Sequence, residues 1–301
     1  MSQGVPGTTG PTRWYVADRD RRELVALDDD LLVVRRLALP LPIELAARSD
    51  RGLWVACADG GSPLGSHALR RLAPDGTVEQ VFAIGALIDL DVVEDDALLV
   101  DLVGGLRRVA RIGASGALTV LSQSTDLNCA AGQSREVLIG SDSGGLELRD
   151  AASGTLLAAR AFGGVIADVA PGPRARTWWV LDAHGGPNVR RVALLDASLS
   201  TLWERAAGVA ALHLVPVPRS ERVWLADASG TSARRFGPGG SIELASVVLP
   251  VSGADRGVAR SDGSVVFAAP GALVALHPDG SPASGQGGFD FLVDVERVER
   301  R

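Results

Sequence analysis

The sequence predicts an all-β protein: a seven-bladed β-propeller of four-stranded blades, with the C-terminal strand closing the first blade. Three observations predict it. A unit of four short apolar runs divided by turn residues recurs seven times in 301 residues. Its period lies in the low forties, which suits a four-stranded blade. The chain starts on the second run of a unit and ends on an unpaired first run, so its two ends complement each other.

Residues 43–82 display the unit most fully, and Trp54 in Gly-Leu-Trp-Val-Ala is its anchor. Equivalent anchors are Tyr15, Leu99, Leu138, Trp179, Trp224 and Val266, at spacings of 39, 45, 39, 41, 45 and 42 residues. An inner run precedes each anchor, as in Ile88–Val93. A third run follows, as in Ala68–Leu72, Gly105–Val109, Gly145–Arg149 and Gly271–Leu276. It leads to a tight-turn pair: Asp75-Gly76, Ser115-Gly116, Ser153-Gly154, Gly239-Gly240 or Asp279-Gly280. Glycine there supplies the positive φ that hairpin turns need. A short outer run such as Thr77–Phe82 ends the unit. Runs this short, joined by such turns, exclude a helical reading.

The ends predict the closure. Trp14–Ala17 has no inner run before it, and the chain finishes on Phe289–Val295, an inner run without a partner. Pairing the two removes both exposed sheet edges. Residues 1–11 read as a flexible lead-in and 12–299 as one propeller domain; a six-bladed ring with a stray hairpin is the alternative.

Composition narrows the partners. The net charge of −6 and the absence of a basic stretch argue against nucleic acid. No apolar run is long enough for a membrane span. The first residues lack the charged and apolar regions of a signal peptide, which reads as cytoplasmic. All 30 basic residues are Arg. Cys57 and Cys129 fall at different strand positions of non-adjacent units, so both read as small buried apolar residues, not as a disulfide or metal site.

The phrases Trp-Tyr-Val-Ala-Asp (14–18), Val-Trp-Leu-Ala-Asp (223–227) and Leu-Ala-Pro-Asp-Gly-Thr-Val (72–78) resemble those of the NHL and virginiamycin-B-lyase-like propeller superfamily, related to YVTN and SMP-30 propellers. The resemblance covers nearly the whole chain and implies the propeller fold. It also implies a choice among lyases, lactonases, peptidylamide-processing enzymes and pure binding platforms. Lyases of that superfamily use paired His and Glu side chains, sometimes with a divalent cation.

Propeller ligands gather at the mouth of the axial channel. Counting back from the anchors puts Glu44, Asp89, Asn128 and Arg256 at one inner-run position without a gap, and Asp168 and His213 there with one inserted residue; the end closure adds Asp290, making seven polar residues. This ring reads either as a polar, water-filled lining or as a site for a small polar ligand or cation. Ca²⁺ suits an oxygen-rich ring, although no EF-hand or repeat-type calcium loop is present. If the protein is an enzyme, His213 is the base, with Glu44, Asp89 and Asp168 as ligands or orienting groups. The other histidines, His67, His184 and His277, lie in Gly-rich gaps or an outer turn. The Arg pairs 70–71, 107–108, 190–191 and 234–235 read as inter-blade partners of Asp101, Asp142, Asp182 and Asp227. Trp203, in an outer run, reads as a surface contact. The leading functional reading is a non-catalytic scaffold that presents its polar mouth and loops to another protein or complex subunit. A lyase- or lactonase-type enzyme and a small-ligand or cation-binding propeller are the alternatives.

Overall fold

The computed structural model describes residues 14–59, 67–183, 190–254, 256–283 and 285–298. The expected lead-in, 1–11, lies outside the described residues, as does His184.

Seven antiparallel sheets of four strands form the ring. Blade 1 combines Leu292–Arg297 with Trp14–Asp18, Glu23–Leu27 and Val33–Ala38, and blade 2 runs Pro42–Ala47, Leu53–Cys57, His67–Leu72 and Val78–Ile84. The inner strands of blades 3 to 7 are Ala86–Val93, Leu127–Gln133, Val165–Pro171, Val215–Pro216 and Gly257–Ala259. The expected closure is present: Trp14 pairs with Arg297, Val16 with Val295 and Ala17 with Asp294. The C-terminal strand is therefore the inner strand of blade 1, and the ring has seven blades.

The sequence pattern explains the packing. Successive side chains of a strand point to opposite faces, and each blade is covered on both sides, so its second strand is largely apolar and buried on both faces. Trp14–Asp18, Leu53–Cys57 and Val265–Ala269 are buried at every residue. The core is correspondingly seven layers, one at each junction of neighbouring blades. Trp54 fills the layer between blades 2 and 3, and its indole N–H donates to the Asp95 carbonyl at 2.8 Å. Trp224 does the same between blades 6 and 7, donating to Gly263 at 3.0 Å. Trp14 and Trp178 are fully buried, as core residues.

The layers also correct one anchor. Tyr15, Trp54, Leu138, Trp179 and Trp224 each face the following blade, and in blade 3 the residue that does so is Leu98, not Leu99. The expected turn glycines are all left-handed, with φ between 63° at Gly239 and 83° at Gly280.

Both cysteines are free and buried. Trp203 does not stand out to solvent: it packs edge-on against Trp179, with centroids 5.3 Å apart, and joins the layer between blades 5 and 6. The Arg pairs meet acids as expected, but mostly within one blade. Arg108 grips buried Asp101 at 2.9 and 2.7 Å, Arg191 grips buried Asp182 at 3.0 and 2.8 Å, and Arg70 takes both oxygens of Asp59. Register explains this, since Arg108 lies opposite Asp101 and Arg191 opposite Asp182 on adjacent strands. Arg107 to Asp142, at 2.5 Å, does cross between blades. None of the helices among the described residues is long and apolar enough to cross a membrane.

Candidate functional site

The inner strands build the axis by one repeated device. Each of blades 1 to 5 carries a register shift near the start of its inner strand, leaving one residue without a partner: Val293, Ile43, Ile88, Asn128 and Ala167. A bulge of this kind re-aims the side chain that follows it. The residue after the bulge is Asp294, Glu44, Asp89, Cys129 and Asp168 in blades 1 to 5, and the same register reaches His213 and Arg256 in blades 6 and 7.

Five of the seven predicted positions thus share one level of the axis. Two do not. Asn128 is itself the bulge residue, and Cys129 takes its place opposite Gly140; the Asn128 amide donates to the Ile166 carbonyl at 2.8 Å. Asp290 lies four residues before the ring position. It is half-exposed and accepts from Arg21 at 3.0 Å, while Asp294 takes the axial place.

The acids of the ring are engaged as straps between blades. Asp294 accepts the Leu45 N–H at 2.7 Å, Asp89 that of Ala130 at 2.9 Å and Asp168 that of Leu214 at 2.6 Å. Glu44 accepts that of Leu90. In each case the donor is the residue just past the ring position in the next blade. Asp168 and Asp294 also hold the N–H of their own following residues, Val169 and Val295. Blade 4 lacks a carboxylate here, and its Cys129 thiol points at the Ile166 carbonyl instead. Arg256 is the central cation, 2.5 Å from Glu44 and 4.0 Å from Asp89, and His213 Nδ1 is 3.7 Å from Asp168.

Two further acids stand two residues along the inner strands, Asp91 and Glu296. Both line a cavity of about 210 Å³ that lies on one side of the ring, with Asp89, Asp168, Arg256 and Asp294. A second cavity, of about 240 Å³, includes Ile88, Asn128, Val165, Arg190 and Leu212 in its lining. Asp89, Asp168 and His213 line both cavities, so the ring is the waist between them.

Burial dominates the electrostatics. It pushes the Asp91 and Asp168 carboxyls up to about 7, against the backbone N–H groups that oppose the rise. It holds Glu44 and Glu296 well above the usual carboxylate range and raises Asp89 and Asp294, with Arg256 lowering each of the four. Burial also pushes the Cys129 thiol up, so that it stays protonated. Among the described residues, no group of three or more His, Cys, Asp or Glu is arranged to hold a metal ion.

No protein-family model and no curated protein matches the chain. Among solved structures it is similar to the β-propeller domain of Cps50 (Swd1) from Myceliophteria thermophila, with a TM-score of 0.60 and 12% identity. That alignment covers 90% of this chain and 94% of the other. At this identity the likeness is one of fold.

Proposed function

We propose that this chain is a non-catalytic propeller that acts as a scaffold, presenting a face and its loops to another protein or complex subunit. One observation carries the reading: the polar ring that is the natural place for chemistry is occupied with holding the blades together. Both oxygens of Asp168 accept backbone N–H groups, and Arg256 is held between Glu44 and Asp89. A catalytic His213 needs a third group to orient it, and Asp168, 3.7 Å from its Nδ1, already has each oxygen engaged by a backbone N–H. The cavities on either side of the ring, about 210 and 240 Å³, are each smaller than the ~300–1,000 Å³ of ordinary ligand pockets.

Membership of the NHL and virginiamycin-B-lyase-like propellers belongs to the same proposal, supported by the phrases at 14–18, 72–78 and 223–227. So does a cytoplasmic location, supported by two free thiols, which suit a reducing compartment. The test is to purify the tagged chain from its own host and weigh the bands that accompany it. A single protein in stoichiometric amount, also retained by the His213→Ala variant, is the expected result. A propeller recovered alone overturns the proposal, and so does a small-molecule turnover that His213→Ala abolishes.

A further inference from the structure

The axial acids are unevenly placed. Glu296 and Asp294 sit on the closing strand Leu292–Arg297, Glu44 on the inner strand of blade 2, and Asp89 and Asp91 on that of blade 3. These five carboxyls occupy three adjacent blades. The Arg256 guanidinium answers them directly, and His213 lies across the axis beside Asp168. Blade 4, which could have extended the acidic row, has the neutral Cys129.

The strand that carries two of the five is also the one held differently from the rest. Every other inner strand runs through a turn of chain into the second strand of its own blade. Leu292–Arg297 has no such turn: within blade 1 it is held by its ladder to Trp14–Asp18. Charge repulsion along the axis therefore acts on the one inner strand that can withdraw without breaking a hairpin.

We propose that the axial carboxyl cluster is a pH-sensitive latch on ring closure: the closing strand is held tightly when the cluster is protonated and loosens when it ionises, while the other blades stay closed. The groups facing Asp294 and Glu296 come from several blades. Glu44 comes from blade 2, Asp89 and Asp91 from blade 3, Asp168 from blade 5, His213 from blade 6 and Arg256 from blade 7. On blade 1 itself, Asp18 lies at the end of the ladder, where it accepts the N–H groups of Asp290 and Phe291 at 3.2 Å, and Arg297 stacks on Trp14 away from the axis.

The direction of the effect follows from linkage. A carboxyl whose folded pKa is raised stabilises the fold fully below its ordinary value of about 4 and loses that contribution as pH rises through the folded value. Burial sets that folded value at about 7 for Asp91 and Asp168 and raises Asp294 and Glu296. The latch accordingly weakens from mildly acidic to mildly alkaline pH.

Hydrogen exchange read by mass spectrometry on the full chain tests this, in EDTA so that no stray cation neutralises the cluster. Protection of peptides spanning 14–18 and 292–297 is compared with that of the second and third strands of blade 4, 136–150, at about pH 5.5 and about pH 8, after correction for intrinsic exchange rates. Relative to blade 4, protection of the closing pair is expected to fall on the order of tenfold at the higher pH, a difference of ~1.4 kcal/mol in opening. Asp294→Asn with Glu296→Gln is expected to flatten that dependence. Should this double variant fail to fold, Asp91→Asn, which leaves the closing strand untouched, is expected to reduce it. A protection ratio that stays constant with pH overturns the latch, and so does a folded variant of either kind that keeps the full dependence.

Discussion

Replacing Arg256 by Met tests the electrostatics of the axis directly. The guanidinium lies 2.5 Å from Glu44 and 4.0 Å from Asp89, with 23% of its side chain exposed. Removing one partner of a buried pair costs about 3–5 kcal/mol, because the other charge stays behind unpaired. Taking ~4 kcal/mol and an unfolding entropy of ~2.1 cal/mol/K per residue, the fall in Tm comes to ~6 °C for a chain of 301 residues. The carboxyls left behind can avoid the penalty by taking up protons, and burial already raises them toward neutrality. The deficit should therefore be largest at about pH 8 and shrink at about pH 5, where protonated acids need no counter-charge. Thermal unfolding followed by tryptophan fluorescence at the two pH values reads both effects. An equal loss at both, or none at the higher, would refute the assignment of Arg256 as counter-ion of the axial acids.

Other parts of the fold give separate expectations. Asp182→Asn breaks the two-pronged grip of Arg191 on a fully buried carboxylate and should cost about 3–5 kcal/mol in urea unfolding. Asp142→Asn, at the partly exposed Arg107 pair, should cost about 0–1 kcal/mol in the same assay. At Gly144, φ is +83° and an added Cβ would stand 2.5 Å from the Gly164 carbonyl oxygen. Gly144→Ala should therefore lower Tm distinctly more than Gly104→Ala, where φ is +59° but nothing lies within 4 Å. Truncation after Phe291 removes the inner strand of blade 1 and exposes the edge of Trp14–Asp18. Loss of a single cooperative melt, with aggregation in light scattering, is the expected result.

The blade grammar was legible because packing imposes it: two apolar faces on every second strand leave a pattern that recurs with each blade. The ring was legible where a hairpin ties the inner strand to its anchor, which recovered Glu44, Asp89, Asp168, His213 and Arg256. It slipped in two places for physical reasons. In blades 3 and 4 the hairpin from ring residue to second strand is one residue shorter than in blade 2; the displaced anchor Leu99 cancels this in blade 3, whereas in blade 4 the count falls on Asn128 and Cys129 stands in the ring. The closing strand has no hairpin to its partner, so nothing local sets its register, and Asp290 was counted where Asp294 stands. Asp91 and Glu296 were missed although alternation places them on the same face, two residues beyond ring positions. The Arg pairs were given inter-blade roles because cross-strand register, which sets Arg108 opposite Asp101, is not visible in spacing alone.

We propose a structural axis and a function exerted through contact with another protein. Native mass spectrometry of the chain purified gently from its own host measures this most directly, beside an Asp168→Asn, His213→Ala variant. The expected species is heavier than the 31.2 kDa chain by the mass of one protein subunit, with the same partner retained by the variant. A bare propeller would contradict it, as would a propeller carrying a small molecule that the axial variant no longer holds.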